Sequence, residues 1–338
     1  MASSSIFKTI SKIPKIQLLF YFLLFIIVIN IISGLNLRKK SSSTTCQIEG
    51  FMDDYKKHIA NNNGEEEDSS VYDVKDNNDL YDRFYAKIYD ELLFSKVKND
   101  FEIGEFKSRT APDQESSVLE IGSGTGHHVS SLVANGFNKV IGIDKSRAMI
   151  EHAKNMYPEL DFRHADALEA STFASSSFTH ITCFYFTLYY MQNKQQFFDN
   201  CMYWLKPGGY LAIHLVDRNN FDPILPAGDP FKIVSPQNYA TKRITSTIVK
   251  FDDFDYKSNF EVFPNDDTAV MSEVFKFKSK NVENGKRKMR RNEHKFYMPT
   301  QKQILNMAKQ VGFIVLAEVD MLRCQYSHQY IYILQKPN

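Results

Sequence analysis

Apolar residues fall into three regimes along this chain. Residues 16–35, IQLLFYFLLFIIVINIISGL, are almost unbroken hydrocarbon, with only Gln17, Asn30, Ser33 and Gly34 outside the apolar set. At a helical rise of about 1.5 Å per residue the run covers ~30 Å, the depth of a bilayer's hydrocarbon core, and it shows no polar face. It exceeds the ~7–15 apolar residues of a signal peptide and ends in NIISGLNLRKK rather than a small-x-small cleavage site. The pattern predicts a basic tail over 1–15 and one transmembrane helix over 16–35. Residues 36–78 lack any apolar period, and Glu49 to Asp79 holds ten acidic residues against three lysines. A disordered acidic linker is expected there.

From Asp79 the pattern is that of a folded domain. Tyr81, Tyr85 and Tyr89 recur every four residues, one face of a helix. Strand and helix signals then alternate. SSVLEIGSG (116–124), KVIGID (139–144), LDFRHADA (160–167), FTHITCFYFTLYY (178–190) and YLAIHLVD (210–217) read as strands. HVSSLVANG, RAMIEHAKNMYPE and QQFFDNCMYWLKPGG read as the helices between them. This alternation predicts an α/β fold with a doubly wound, mostly parallel sheet. Residues 243–297 break the order with antiparallel strands, including a hairpin around Glu-Asn-Gly at 283–285. Thr300 and Gln303 form a capping box for a last helix stopped by Gly312, and strands FIVLAEVDM and HQYIYILQ follow. The domain is placed at 79–338.

Composition adds exclusions. With 41 Lys+Arg against 40 Asp+Glu, the chain of 338 residues has no global attraction to polyanions. Its four cysteines, Cys46, Cys183, Cys201 and Cys324, form no CxxC pair or Cys/His cluster, so no metal site and no disulfide scaffold is expected. None of the 23 asparagines begins an N-x-S/T acceptor, which favours a domain facing the cytosol. Lysines flank the apolar run on both sides, so charge alone leaves its orientation close to a tie.

The chemistry concentrates in VLEIGSGTG (118–126), a buried strand running into glycines spaced GxGxG before a helix. Glycines let the backbone turn tightly and approach a ligand beside the positive end of a helix. Asp144 ends the second strand, twenty residues after Gly124, where a carboxylate suits ribose hydroxyls. His127 stands where a dinucleotide fingerprint wants its third glycine. VLEIGSGTG, VIGIDKS, HADAL and LKPGG, in that order, resemble the motifs of class I S-adenosylmethionine-dependent methyltransferases, over about residues 79–338. The resemblance implies a seven-stranded sheet and S-adenosyl-L-methionine as cofactor. It implies that Glu120, Gly122, Ser123, Gly124 and Gly126 wrap the methionine and ribose, and that Asp144, with Lys145 after it, holds the ribose. Asp166 and Ala167 would meet adenine, and Phe184 and Tyr185 the cofactor's other side. The fourth strand opens Phe178-Thr179-His180-Ile181, without the Asp many relatives carry.

Acceptor chemistry is read beyond the fourth and fifth strands. Motifs of base N-methylation, pyrimidine C5 methylation and arginine methylation are absent, leaving small-molecule acceptors. The tail through NEHKFYMPTQKQILNMAKQVGF looks similar to amino-sugar N-methyltransferases. Tyr190, His214, Glu293 and His294 are the candidate catalytic residues, with Tyr189 and Asp217 beside them. Tyr81 and Tyr85 are candidates for a lid, and His127 and His128 for capping or cofactor contact. Between Lys276 and Lys295 lie nine basic residues and two Glu, a hairpin suited to anionic lipid. The expected function is a membrane-anchored methyltransferase acting on an N or O of a small molecule, sugar or lipid headgroup. The alternatives are a nucleic-acid methyltransferase using the hairpin, and a non-catalytic cofactor-binding scaffold.

Overall fold

The computed structural model describes residues 71–223, 237, 240–278, 282–283 and 286–338. The tail, the helix expected at 16–35 and the linker up to residue 70 lie outside the described residues, as do hairpin residues 284–285. Among the described residues no helix is long and apolar enough to cross a membrane.

Seven strands form the first sheet, in chain order β2 (Ser117–Ile121), β3 (Lys139–Asp144), β4 (Asp161–His164), β5 (Phe178–Cys183), β6 (Leu205–Val216), β12 (Ile314–Asp320) and β13 (Gln329–Gln335). Their spatial order is β12-β13-β6-β5-β2-β3-β4. The pairs from β4 to β6 are parallel, and β13 runs antiparallel to both neighbours. The expected mostly parallel, seven-stranded sheet is present. Chain order reverses between β2 and β5, and at such a switch point ligands bind beyond the carboxyl ends of the strands. Helices α3 (His127–Ala134), α4 (Arg147–Met156) and α6 (Lys194–Trp204) connect these strands, and α7 (Gln301–Val311) starts at the Thr300–Gln303 capping box. Trp204, Phe197, Leu211 and Ile213 are fully buried in the larger core cluster.

A second sheet has the order β1-β11-β9-β8-β7, with β10 (Val282–Glu283) beside β11. It contains the antiparallel insertion: β7 (Ser246–Lys250), β8 (Phe254–Phe263), β9 (Thr268–Phe277) and β11 (Lys286–Tyr297). Its edge strand β1 (Val71–Lys75) pairs parallel with β11. Residues 71–75, expected within the linker, are therefore part of a sheet. Strand β8, within the range expected to hold antiparallel strands, buries Phe254, Tyr256 and Phe260, with Ser258 the polar break in that face.

Two local expectations are corrected. The fourth strand stops at Cys183 instead of continuing to Tyr190; Tyr185 takes a left-handed φ of 55°, and Thr187–Tyr190 form a short helical turn, α5. The Lys-Pro-Gly-Gly run lies in β6 rather than closing the preceding helix, which ends at Trp204. Helix α1 (Arg83–Leu93), capped by Asp82, carries Tyr85 and Tyr89 as expected, with Tyr81 just ahead of it. Helix α2 (Lys96–Thr110) was not foreseen, because its buried side mixes Lys98, Asn99 and Glu102 with Ile103 and Phe106.

Candidate active site

The glycine turn leaves β2 pinned to β3. Gly122 N–H and Ser123 N–H both donate to the Ile143 carbonyl, at 2.8 and 2.9 Å. Gly122, Gly124 and Gly126 all have positive φ, yet they serve different ends. A Cβ on Gly122 would collide with the Thr187 side chain, and one on Gly126 would stand 2.7 Å from Phe162, so both glycines permit packing. A Cβ on Gly124 would meet nothing nearer than the Tyr89 ring at 4.0 Å. That opening is the cradle a ligand would fill.

Asp144 stands at the rim, its Oδ2 accepting from Gly124 N–H at 3.0 Å and its Oδ1 from Ser146 N–H at 2.7 Å. Burial raises its carboxyl above the usual range, opposed by those two hydrogen bonds. Asp166 accepts from Leu168 N–H and pairs with the exposed Lys145 at 3.0 Å, while Ala167 is buried beside it. Phe184 is buried under the turn and tilts over His128, and Tyr185 lines the cleft described below. Ser123 Oγ is buried without a partner. An open glycine backbone, a carboxylate at each of two strand ends and an orphaned hydroxyl fit an adenosyl amino acid.

A charged cluster lies behind the turn. Lys98 Nζ is 2.5 Å from Glu102 and 4.5 Å from the centre of the Tyr185 ring, and Glu102 is 2.8 Å from His128 Nε2. Burial opposes the Glu102 charge, but Lys98 and His128 outweigh it and hold the carboxyl at about 2. Burial dominates at Glu120, which bonds the Thr182 hydroxyl, and pushes it up to about 7. His127 bonds Asp90 at 2.8 Å and Tyr157 at 2.8 Å. Neither histidine caps α3, whose N-cap is Gly126 without a side-chain bond. Asp90 also accepts from Thr125 at 2.7 Å, fastening α1 across the turn.

Beyond the turn opens a cleft with about 820 Å³ of empty space, part of it open to solvent. Tyr81 and Tyr89 wall it from the N-terminal side, Tyr185 and Tyr190 from the end of β5, and Phe260 and Phe296 from the insertion. Tyr81 donates to Tyr190 at 2.7 Å, and Tyr190 OH lies 2.6 Å from His294 Nδ1. His294 Nε2 lies 2.7 Å from Glu273 on β9.

The expected catalytic set is thus divided. Tyr190 and His294 line the cleft together. Tyr189 faces the core, where its oxygen accepts from Val216 N–H at 2.8 Å. His214 is fully buried one layer behind, its Nδ1 donating to the Tyr185 carbonyl at 2.8 Å; burial brings its pKa down to about 4, so it positions Tyr185 as a neutral ring. Asp217 closes a turn through Asn219 and Asn220. Glu293 points away: strand alternation sends Asn292, His294 and Phe296 inward and Glu293 outward to Arg291, at 2.8 Å. Tyr85 likewise turns from the cleft to bond Glu273. The sequence reading missed Glu273, whose signal was a lone acid on the Ala269-Met271-Phe275-Phe277 face of β9, and missed Lys98, Glu102 and Thr187.

The basic hairpin is partly committed. Arg290 is buried, bonding Asp82 at 2.7 Å and the Leu80 carbonyl at 2.7 Å, and Lys278 bonds the Phe251 carbonyl.

Residues 118–209 match the model of a family described as a methyltransferase domain. A Mycolicibacterium smegmatis protein named "Probable S-adenosylmethionine-dependent methyltransferase" is 29% identical over 106 residues, which is 31% of this chain and 40% of that one. The chain thus spans well under half the length of this curated relative. Among solved structures, the CcbJ methyltransferase of Streptomyces caelestis superposes with TM-score 0.57 at 15% identity, covering 78% of this chain and all of that one. The sugar N-methyltransferase KedS8 of Streptoalloteichus gives 0.54 at 14% identity, over 77% and 94% of the two chains. With the sheet order and glycine turn, these findings show a methyltransferase domain over residues 118–209, in a chain whose fold is similar to that of solved methyltransferases.

Proposed function

We propose that this protein transfers a methyl group from S-adenosylmethionine to a nitrogen or oxygen of a small, sugar-like acceptor held in the aromatic cleft. The observation that carries the reading is that Tyr89, which lines the cleft, also lies over the open side of Gly124. S-adenosylmethionine supplies an already activated methyl on a sulfonium, so the protein's task is alignment and exclusion of water. Asp144 would hold the ribose hydroxyls, Asp166 the adenine edge, and the 122–126 turn the amino-acid end. Tyrosine faces suit both a sulfonium and the apolar faces of a sugar, and their hydroxyls suit its polar edges. The sugar N-methyltransferase among the structural neighbours agrees with this acceptor class.

The apolar run at 16–35 adds a second part: the chain is anchored in a bilayer with its domain on the cytosolic side. A tethered enzyme gains effective concentration toward lipid-linked sugars and headgroups. Two measurements test these parts. Calorimetry with S-adenosylhomocysteine should show binding to the full chain, and no binding sinks the cofactor reading. Protease treatment of sealed microsomes should digest the domain; a protected domain overturns the cytosolic placement.

A further inference from the structure

Glu273 touches no part of the cofactor site, yet it is fully buried, and its carboxylate has hydrogen-bond partners at both oxygens. Its Oε1 accepts from Tyr85 at 3.0 Å and Tyr256 at 2.7 Å; its Oε2 accepts from Asn292 at 2.9 Å and His294 Nε2 at 2.7 Å. Four donors fill the capacity of a carboxylate. Burial favours the neutral acid, but His294, Asn292 and Tyr256 outweigh it and hold the carboxyl below its ordinary value. Of the four donors only His294 lines the cleft.

The partners fix the tautomer. A carboxylate can only accept, so Nε2 of His294 carries the proton, and Nδ1 is left to accept the Tyr190 hydroxyl at 2.6 Å. The Tyr190 oxygen accepts from Tyr81 and retains a lone pair. Tyr81, Tyr85 and Tyr190 are the other titratable groups facing His294, and burial keeps all three phenols neutral. A buried carboxylate behind the imidazole stabilises the imidazolium that forms when a proton arrives.

Resting on the reading of the cleft as the acceptor site, we propose that Tyr190, His294 and Glu273 form a proton exit for an acceptor that arrives as an ammonium, a primary or secondary amine, with Glu273 as its positioning residue. The ammonium N–H bond breaks and leaves its electron pair on nitrogen. The proton bonds to the Tyr190 oxygen while Tyr190's own proton passes to His294 Nδ1. The result is a neutral amine with a free lone pair and an imidazolium against the Glu273 carboxylate, which later returns the proton to water. Imidazole is matched to amines of pKa about 8–10 and is far too weak a base to ionise a sugar hydroxyl.

The test uses the full-length chain with ¹⁵N-labelled histidine, the His294 signal being identified by its loss in His294→Gln. The expected signal is an Nε2–H tautomer. Its proton affinity should fall tenfold or more in Glu273→Gln and rise in Tyr190→Phe, where the neutral ring loses its donor. An Nδ1–H tautomer, unmoved midpoints, or shifts of the same sign in both variants overturn the proposal. If Glu273→Gln does not fold, the sign of the Tyr190→Phe shift decides. Turnover, read as S-adenosylhomocysteine formed with a panel of primary and secondary amino sugars, should show an acidic limb that moves to lower pH in Glu273→Gln. Methylation confined to hydroxyls, or no amine turned over, overturns the amine assignment. Calorimetry separates the two readings: wild-type chain that fails to bind S-adenosylhomocysteine removes the methyltransferase reading, whereas normal binding with an unmoved His294 removes the proton exit alone.

Discussion

The hydroxyl of Tyr190 lies 2.6 Å from Nδ1 of His294, although 104 residues separate them in the chain. One sits on the turn that ends β5 of the first sheet and the other on β11 of the second. Their hydrogen bond joins the cofactor half of the molecule to the insertion, and the cleft is walled by both.

Asp144 should control cofactor affinity. Changing it to Ala removes the carboxylate that accepts from Gly124 N–H and Ser146 N–H and that, in the proposed function, would hold the ribose. A loss of about 1–3 kcal/mol in S-adenosylhomocysteine binding is expected. Calorimetry giving the wild-type affinity would remove Asp144 from the site.

Gly124 and Gly126 should separate by phenotype. Gly126→Ala drives a Cβ to 2.7 Å from Phe162 at a φ of 95°, so it should lower the melting temperature by several degrees. Gly124→Ala has room in the protein and should melt closer to wild type, while weakening S-adenosylhomocysteine binding. Equal loss of binding per degree of melting in both variants would contradict this division.

His214 should shape the acid side of stability. Its pKa is near 6.5 unfolded and about 4 in the fold, because burial penalises the charged ring. Between those values the unfolded chain binds more protons, so stability present above about pH 6.5 is lost as pH falls toward 4. His180 acts in the same sense, also at about 4 through burial. Urea midpoints measured from pH 7 to 4.5 should fall less steeply in His214→Asn. An unchanged slope would mean that the ring is not held neutral.

Glu293 provides the contrast to Glu273. It is outward-facing and, among the described residues, pairs with the similarly exposed Arg291. Glu293→Gln should change stability by no more than ~0.5 kcal/mol and leave S-adenosylhomocysteine affinity within twofold. A larger loss of affinity would place Glu293 back at the site.

Much of the cofactor half is legible in the sequence because its determinants are local. A buried strand, a run of glycines and an acid at the next strand's end lie within about thirty residues, and the periods of two and 3.6 mark the elements between them. Helix α2 is hidden in the sequence because its buried face carries Lys98 and Glu102, which pair with each other and, through the second Glu102 oxygen, with His128 of another helix. The end of the fourth strand is unmarked in the sequence because an apolar run shows no period at which to stop; the left-handed Tyr185 just beyond it is held by His214, a neighbour across the sheet.

The acceptor side was decided by pairing register. The sequence determined that Tyr190 and His294 were chemically suitable and that Glu293 stood next to one of them. It could not choose between Glu293 and Glu273, since a strand's two faces are told apart only by what covers each. In the tertiary structure α1 and the β5 turn cover one face of the insertion sheet, bringing Tyr85 onto Glu273 and Tyr190 onto His294 and leaving Glu293 exposed. A carboxylate keeps its charge in that buried place only because donors from α1, β8 and β11 converge on it, and convergence across the chain is a property of the fold.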